Sequence, residues 1–378
     1  MAGPVEIRAV GSAAQAELFV RLPARLGGAA AGWSVPLFAD TRRIFDPGFN
    51  AALAEWMVPR WLAFRGGRPI GRIAAAWPRD GVMSQGIGGF GFLALEQDPV
   101  VLRALLDAAE GWLRAQGAAK MRGPLSFTIN HEVGALVEGG ALPMPRMPRN
   151  PPWLPPLLDA AGLEREMDLL ACTLDLAEEA HRPRFAALLA RWPARSELRI
   201  RRLRPARLAE DVGLIRDLFN DAWAENWGAV PVTAAEAATM ARLLRPLLLT
   251  GAVFFAEWRG EPIGVASLIP NIEPAAARLD GRLLPWGWAR MLRALAGGAD
   301  SARLPMLGIR RAWRGHPVSA YAVGALLSAA IDWAERRGWR QVEVSWILAH
   351  NAPMLQAMAR LPAPVSGRWR LWSKRLGE

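Results

Sequence analysis

The sequence predicts an α/β protein built from two similar domains in tandem, and three observations carry that prediction. The chain has 378 residues, more than one ordinary core holds at roughly 100–200 residues per domain. It matches itself: Val5-Glu6-Ile7-Arg8 resembles Leu198-Arg199-Ile200-Arg201, and at the same spacing Arg68-Pro69-Ile70-Gly71 resembles Glu261-Pro262-Ile263-Gly264. Such self-similarity is the mark of a duplicated domain. Each half also alternates strands with helices, which indicates helices packed on a sheet.

The elements follow in order. In both copies a tight turn at 68–71 or 261–264 joins apolar segments, 61–64 to 73–76 and 253–256 to 265–269, which reads as a hairpin. Farther on, Leu105-Leu106-Asp107-Ala108-Ala109 and Trp112 fall on Leu326-Leu327-Ser328-Ala329-Ala330 and Trp333, Gly117 on Gly338, and Asn130 on Asn351. Long helices over 99–116 and 317–337 open with proline, which suits a first helical turn, and stop at a glycine. Short strands, 121–127 and 342–347, come next. Each half therefore reads strand, helix, hairpin, strand, long helix, strand, helix. The domains are expected at 1–180 and 197–378, joined by a linker helix over 181–196.

Composition narrows the class. At 52% hydrophobic and 21% charged residues the chain can bury a sizeable core. No apolar run reaches the roughly 18 residues of a bilayer span, and Glu6, Arg8, Glu17, Arg21 and Arg25 are unlike a signal peptide. Cys172 is the sole cysteine, so an internal disulfide and a cysteine-based metal site are excluded, and no metal is expected. The compartment expected is the cytoplasm. The net charge of +11 comes almost wholly from arginine, with Lys120 and Lys374 the only lysines. That excess favours phosphates or anionic headgroups, although a GC-rich genome produces the same bias.

The second copy carries an insertion, roughly 271–301, in which Leu284, Trp286 and Trp288 alternate with Arg290 and Arg293 and no acid occurs between Gly281 and Gly298. A basic amphipathic stretch with tryptophans suits a membrane interface; a surface helix covering the sheet is the alternative.

Three stretches of the second copy and one of the first could carry chemistry. Ile309-Arg310-Arg311-Ala312-Trp313-Arg314-Gly315-His316-Pro317 lies between a strand and a helix start, where backbone N–H groups and the helix dipole favour an anion. Asn220-Asp221-Ala222-Trp223-Ala224-Glu225-Asn226-Trp227 is dense in polar groups, and Asp221 and Glu225, four apart, share a helical face. On the strand at 341–348, Glu343 and Ser345 share one face, so Glu343 is an acid on a mostly apolar sheet and a candidate general base. In the first copy Asn130, His131 and Glu132 gather at the corresponding strand end.

The order of elements and the loop before the second long helix resemble the GCN5-related N-acetyltransferase (GNAT) superfamily. Its pyrophosphate loop maps onto Arg314-Gly315-His316-Pro317-Val318-Ser319, with Pro317 in place of the central glycine. The resemblance implies coenzyme A contacts at Ile309, Arg310, Arg314, Gly315, His316 and Ser319, with Asn351 also near the cofactor. The first copy has Glu96 and Asp98 at the equivalent place, which would repel a pyrophosphate. The segment holding Asn220, Trp223, Asn226 and Trp227 would line the acceptor pocket, with Asn130, His131 and Glu132 as further substrate contacts. Glu343, or Asp221 with Glu225, would be the base. The superfamily's usual acid, a tyrosine on the fourth helix, is missing, so His350, Ser345 or water would protonate the thiolate.

Asn220–Pro231, Gly281–Pro285, Ser345–Asn351, Arg122–Glu132 and Asn150–Pro152 together are similar to a proteobacterial family that includes bacterial ceramide synthases. That resemblance implies transfer of a fatty acyl group from long-chain acyl-CoA to the amine of a sphingoid base. The coenzyme A thioester is then a co-substrate, with no permanently bound cofactor. It also implies a peripheral position on the inner membrane, and no nucleic acid partner is expected. Alternatives are an N-acyltransferase of a soluble amine or peptide, a non-catalytic acyl-CoA or lipid-binding protein, and an aminoacyl-tRNA-dependent transferase.

Overall fold

The computed structural model describes residues 3–83, 85–140, 142–177, 197–361 and 363–377. The linker helix expected over 181–196 lies outside them. The elements of the first half are β1 (Glu6–Ala9), α1 (Ala13–Arg25), α2 (Phe38–Ile44), β2 (Trp56–Met57), β3 (Arg60–Arg65), β4 (Arg68–Pro78), β5 (Ile87–Leu95), α3 (Pro99–Ala115), β6 (Lys120–Gly123), β7 (Ala135–Gly139), α4 (Leu154–Ala160) and β8 (Glu164–Asp175). The second half gives β9 (Leu198–Arg202), α5 (Leu208–Ala222), α6 (Ala234–Thr250), β10 (Ala252–Trp258), β11 (Glu261–Pro270), α7 (Gly287–Arg293), β12 (Ser301–Ile309), α8 (Pro317–Arg336), β13 (Gln341–Leu348), α9 (Ala352–Arg360) and β14 (Val365–Arg375).

Two compact units result, and neither is one contiguous stretch. Unit 1 comprises Met1–Asp168, Pro274–Trp288 and Arg368–Glu378; unit 2 comprises Leu169–Glu273 and Ala289–Gly367. Within unit 1 the strand order is β1-β3-β4-β5-β6-β14, and within unit 2 it is β9-β10-β11-β12-β13-β8. Neighbours are antiparallel except for β5 with β6 and β12 with β13. The two sheets thus share one plan, but the sixth strand of each comes from the other half of the sequence. This departs from the linear boundaries at 180 and 197. The element order expected for each half ended at its last helix, without β8 and β14.

The long helices show why these residues fold as they do. Asp98 caps α3 by accepting from Val100 N–H at 2.8 Å, and His316 caps α8 through Nδ1 at 3.2 Å from Val318 N–H. Leu102, Leu105, Leu106, Ala109 and Leu113 then form one buried stripe on α3, as Val318, Ala322, Leu326, Ala330 and Ala334 do on α8. Burying each large aliphatic side chain stabilises the fold by about 1.5–3 kcal/mol. By length and mean hydropathy, 1.2 over its best window, α8 could cross a membrane. Its buried stripe instead packs in the core of unit 2.

Two local expectations change. Segments 68–71 and 261–264 are not turns but the first residues of β4 and β11. The turns precede them at Gly66-Gly67 and Arg259-Gly260, whose φ values are 55°, 77°, 51° and 85°. This left-handed pair is what a two-residue hairpin needs. The strand expected over 121–127 ends at Gly123, because Pro124 has no N–H to continue the ladder.

Trp372 of β14 is fully buried in the core of unit 1, and its Nε1 donates to Asp159 at 2.8 Å. Trp372→Ala is expected to lower stability by about 3–5 kcal/mol, read by urea denaturation. Amide exchange should show the loss in α3 and β6, more than two hundred residues earlier in sequence.

Candidate active site

The site begins where two strands part. β12 and β13 run parallel and pair over Ser301↔Gln341 to Leu304↔Val344, then continue to Ile309 and Leu348 with no further register between them. Irregularities on both strands mark the fork. Pro305 follows the last pair on β12 and has no N–H to donate. On its other side β12 carries a bulge against β11, between the pairs Ser267↔Met306 and Ile269↔Arg303. β13 slips against β8 between Val344 and Ile347. Unit 1 starts the same way, with β5 and β6 paired from Ile87↔Lys120 to Gly89↔Arg122. There the gap is zipped shut. Leu125 N–H donates to Phe90 O at 2.8 Å, and a Cβ on Gly91 would lie 1.8 Å from Leu125 O.

A buried polar chain sits at the fork of unit 2. Glu343, Ser345 and Arg303 are 3%, 2% and 4% exposed. Arg303 Nε donates to Ser345 Oγ at 2.9 Å, and Ser345 Oγ donates to Glu343 Oε1 at 2.9 Å. Arg303 also lies 5.2 Å from the Trp346 ring centre. Burial raises the Glu343 pKa above its usual 4.5, against the pull of Arg303 and of the Ser345 hydroxyl. A carboxylate so placed is a proton acceptor with a hydroxyl already in hydrogen-bond contact. Glu343 and Ser345 were expected on sequence grounds. Arg303 was not, although an arginine flanked by strand residues as apolar as Ala302 and Leu304 was a usable signal.

The loop before α8 and the end of α5 are tied together. Asp221 accepts from Arg311 N–H at 2.7 Å, and Glu225 accepts from Arg311 at 3.4 Å and Arg314 at 3.1 Å. Arg314 also donates to the carbonyl of Ala222, as suits a cation at a helix C-terminus. α5 ends at Ala222, so Glu225 lies past the helix and meets Asp221 at the arginines, not along a helical face. Arg310 donates to Pro262 O at 2.8 Å. In the first turn of α8, Val318 N–H goes to His316 Nδ1 and Ser319 N–H to His316 O, while Ser319 Oγ also donates to His316 O at 2.8 Å. Gly315 has a φ of 76° and open space around its Cα. Ile309 is buried at the end of β12.

The remaining expected residues have these places. Asn220 clamps Val232 by two bonds, 2.9 and 2.8 Å, closing the loop that holds Asn226 and Trp227. Trp223 stacks on Phe219 at 4.8 Å and covers the backbone of β12 at Gly308, where a Cβ would strike its ring at 2.4 Å. Asn351 caps α9 by accepting from Met354 N–H at 3.2 Å, and His350 beside it is exposed. In unit 1, Thr128 Oγ1 lies 3.1 Å from His131 Nδ1 and accepts from Asn130 N–H at 3.2 Å, while Glu132 stands 3.9 Å from Arg146. Burial and the nearby Arg146 lower the His131 pKa to about 3, so its ring is neutral at pH 7. Leu284 and Trp286 are 78% and 75% exposed, and Trp288 is 47% exposed. Their loop is pinned by Gly281, whose carbonyl accepts from Phe38 N–H at 2.9 Å and whose Cα abuts the Phe38 ring. Arg290 and Arg293 follow on α7.

No family model matches the chain. It is 33% identical over 371 residues to the bacterial ceramide synthase of Caulobacter vibrioides (strain NA1000 / CB15N), covering 96% of this chain and 95% of that protein. The chain belongs to the bacterial ceramide synthase family, a family of acyl-CoA-dependent N-acyltransferases. It is likewise 33% identical over 365 residues to protein YghO of Escherichia coli (strain K12), covering 95% of this chain and 92% of that protein. The fold is that of tandem GNAT proteins. A tandem GNAT protein from the clavulanic acid biosynthesis pathway superposes with a TM-score of 0.57 at 18% identity over 99% of each chain. A GCN5-related N-acetyltransferase from Sphaerobacter thermophilus gives 0.52 at 15% over 100% of this chain and 98% of that one.

Two outcomes are expected. Glu343 binds its proton more tightly folded than unfolded, so its contribution to stability is full below about pH 4.5 and is lost as pH rises through the raised pKa. Urea denaturation across that range should therefore show wild type losing stability relative to Glu343→Gln as pH increases. Glu225→Gln releases Arg311 and Arg314 and should lower the KM for acyl-CoA by about two- to fivefold, the scale of an exposed ion pair. If Glu225 were the base, kcat would instead fall by roughly 100-fold or more.

Proposed function

We propose that this family member moves a fatty acyl group from a long-chain acyl-CoA to the amine of a sphingoid base. The observation that carries the reading is the Glu343–Ser345–Arg303 chain at the open fork of β12 and β13. Glu343 takes a proton from the acceptor ammonium, directly or through the Ser345 hydroxyl. The neutral nitrogen attacks the thioester carbonyl, and backbone N–H groups on β12 beyond Pro305 stabilise the oxyanion. The C–N bond forms, the nitrogen passes its second proton to His350 or water, and the C–S bond breaks as the departing thiolate takes up a proton to leave as coenzyme A. Arg303 holds Ser345 and offsets the cost of a buried carboxylate. His350 or water supplies the proton to the thiolate.

The loop at 309–319 receives the pyrophosphate in this scheme, with Arg311 and Arg314 exchanging Glu225 for phosphate oxygens, and the end of α5 bears on the acceptor. A membrane-resident amine also explains the pinned loop that presents Leu284, Trp286 and Trp288 to solvent, followed by Arg290 and Arg293. Apolar side chains beside arginines suit an anionic bilayer surface.

With palmitoyl-CoA and a sphingoid base in mixed micelles, thiol release should depend on the amine and yield an N-acyl product by mass. Glu343→Gln should abolish turnover while retaining coenzyme A binding. Trp286→Ser should reduce activity on anionic vesicles and spare it in micelles. Acylation of soluble amines in preference to the sphingoid base would sink the lipid-acceptor reading.

A further inference from the structure

The duplication gives unit 1 an internal reference. Along the hairpin Arg60 faces Ala74 and Leu62 faces Arg72, as Val253 faces Ser267 and Phe255 faces Val265 in unit 2. Arg60 and Arg72 therefore occupy the positions of Val253 and Val265, which are buried in a small apolar cluster with Leu218 and Phe255. Two core valines in one copy are arginines in the other. Replacing an apolar core pair by two like charges is costly unless something meets them.

Little of the protein meets them. Arg72 is 6% exposed; its Nη1 donates to the carbonyl of Phe19, but its buried Nε–H has no acceptor. Its guanidinium lies 4.8 Å from the centre of the Phe19 ring. Burial pulls its pKa down to about 9, with only the field of Glu132 acting the other way. Arg60 is half-buried, 4.5 Å from the Phe45 ring and 5.8 Å from Phe19, and has no carboxylate partner among the described residues. Glu132 stands 3.9 Å from Arg146. Asp40 is bonded to Arg43 at 3.2 Å, and His131 is neutral. Cations therefore outnumber anions around this face of β3 and β4.

Aromatic rings line the same place. Phe45 and Phe92 lie 4.8 Å apart and Phe92 and Phe127 5.9 Å apart, and Phe45 and Phe92 are half-buried. β5 bulges opposite Arg72, between the pairs Arg72↔Ala94 and Ala74↔Gly91, which pushes Phe92 out of register. Phe92, Phe127 and Arg146 hold left-handed φ values of 49°, 69° and 60°. Such backbone, unfavourable for non-glycine residues, gathers at ligand sites.

We infer that unit 1 carries a second binding site, for the carboxylate of a fatty-acid-like amphiphile, with Arg60 and Arg72 taking the carboxylate and Phe45 and Phe92 the first carbons of the chain. A carboxylate supplies the acceptor that Arg72 Nε–H lacks and pairs well with guanidinium groups away from water. This site depends on neither the donor nor the acceptor proposed for unit 2.

The test is calorimetric titration of the full chain with dodecanoate below its micelle concentration, with dodecanol as the uncharged control. The double variant Arg60→Val/Arg72→Val installs the residues unit 2 uses at the same register, and Arg60→Met alone serves if the double variant does not fold. Dodecanoate should bind tenfold or more tighter than dodecanol, and either variant should remove most of that advantage while leaving dodecanol unchanged. Equal affinity for the two ligands, no dodecanoate binding, or binding that the variants leave intact and coenzyme A displaces would each overturn the site.

Discussion

Two parallel strands that stay paired for four residues and then separate determine where chemistry can occur in unit 2. Every backbone donor and acceptor along the parted edges needs a partner other than the neighbouring strand. That requirement makes the fork a polar place inside an otherwise apolar sheet. It also explains how a carboxylate can sit there almost without exposure. Glu343 is tolerated because Ser345 and Arg303 lie on the same small polar island, on the last paired residues of β12 and just past them on β13. Pro305 on β12 and the slip of β13 after Val344 mark the place where the island opens.

The two copies show how one framework diverges. Unit 1 keeps strand order, hairpin register and the capped long helix, but closes its fork with Gly91 and Gly123, where side chains would collide with backbone. Its unusual chemistry lies on the hairpin strands beside that closed fork, where arginines replace valines: Arg60 faces Ala74, which in turn faces Gly91. Unit 2 keeps the valines and leaves its fork open. Each copy has thus spent its departure from an ideal core in a different place, and the cost of each departure identifies where a ligand would be worth having.

Much of this was legible in the sequence, for physical reasons that differ by element. The long helices were clear because proline, a periodic apolar stripe and a terminal glycine agree. The hairpins were legible but their turns were not, since Arg259 gives no hint of a left-handed conformation while Pro-Ile-Gly, the start of the following strand, repeats in both copies. Asp221 and Glu225 were expected on one helical face, but the helix ends between them and loop arginines bring them together. His316 and Asn351 act as helix caps in the structure, a role their positions before Pro317 and Ala352 could have indicated. Arg303 and Arg72 were hidden by composition: in a chain so rich in arginine, one more on a strand is unremarkable until its burial is known.

The exchanged sixth strands bear on how the protein is made. A ribosome delivers β1 through β6 early, but the strand that lies beside β6 is β14, which emerges only after all the other described strands. Unit 1 must therefore wait, with one flank of β6 unpaired, through the synthesis of some two hundred residues. Unit 2 faces no such delay, because β8 precedes it on the chain. The order of synthesis is thus the reverse of the order of completion, and the nascent first half needs its edge shielded in the meantime. For the same reason the duplicated gene cannot be cut at its midpoint into two self-sufficient pieces.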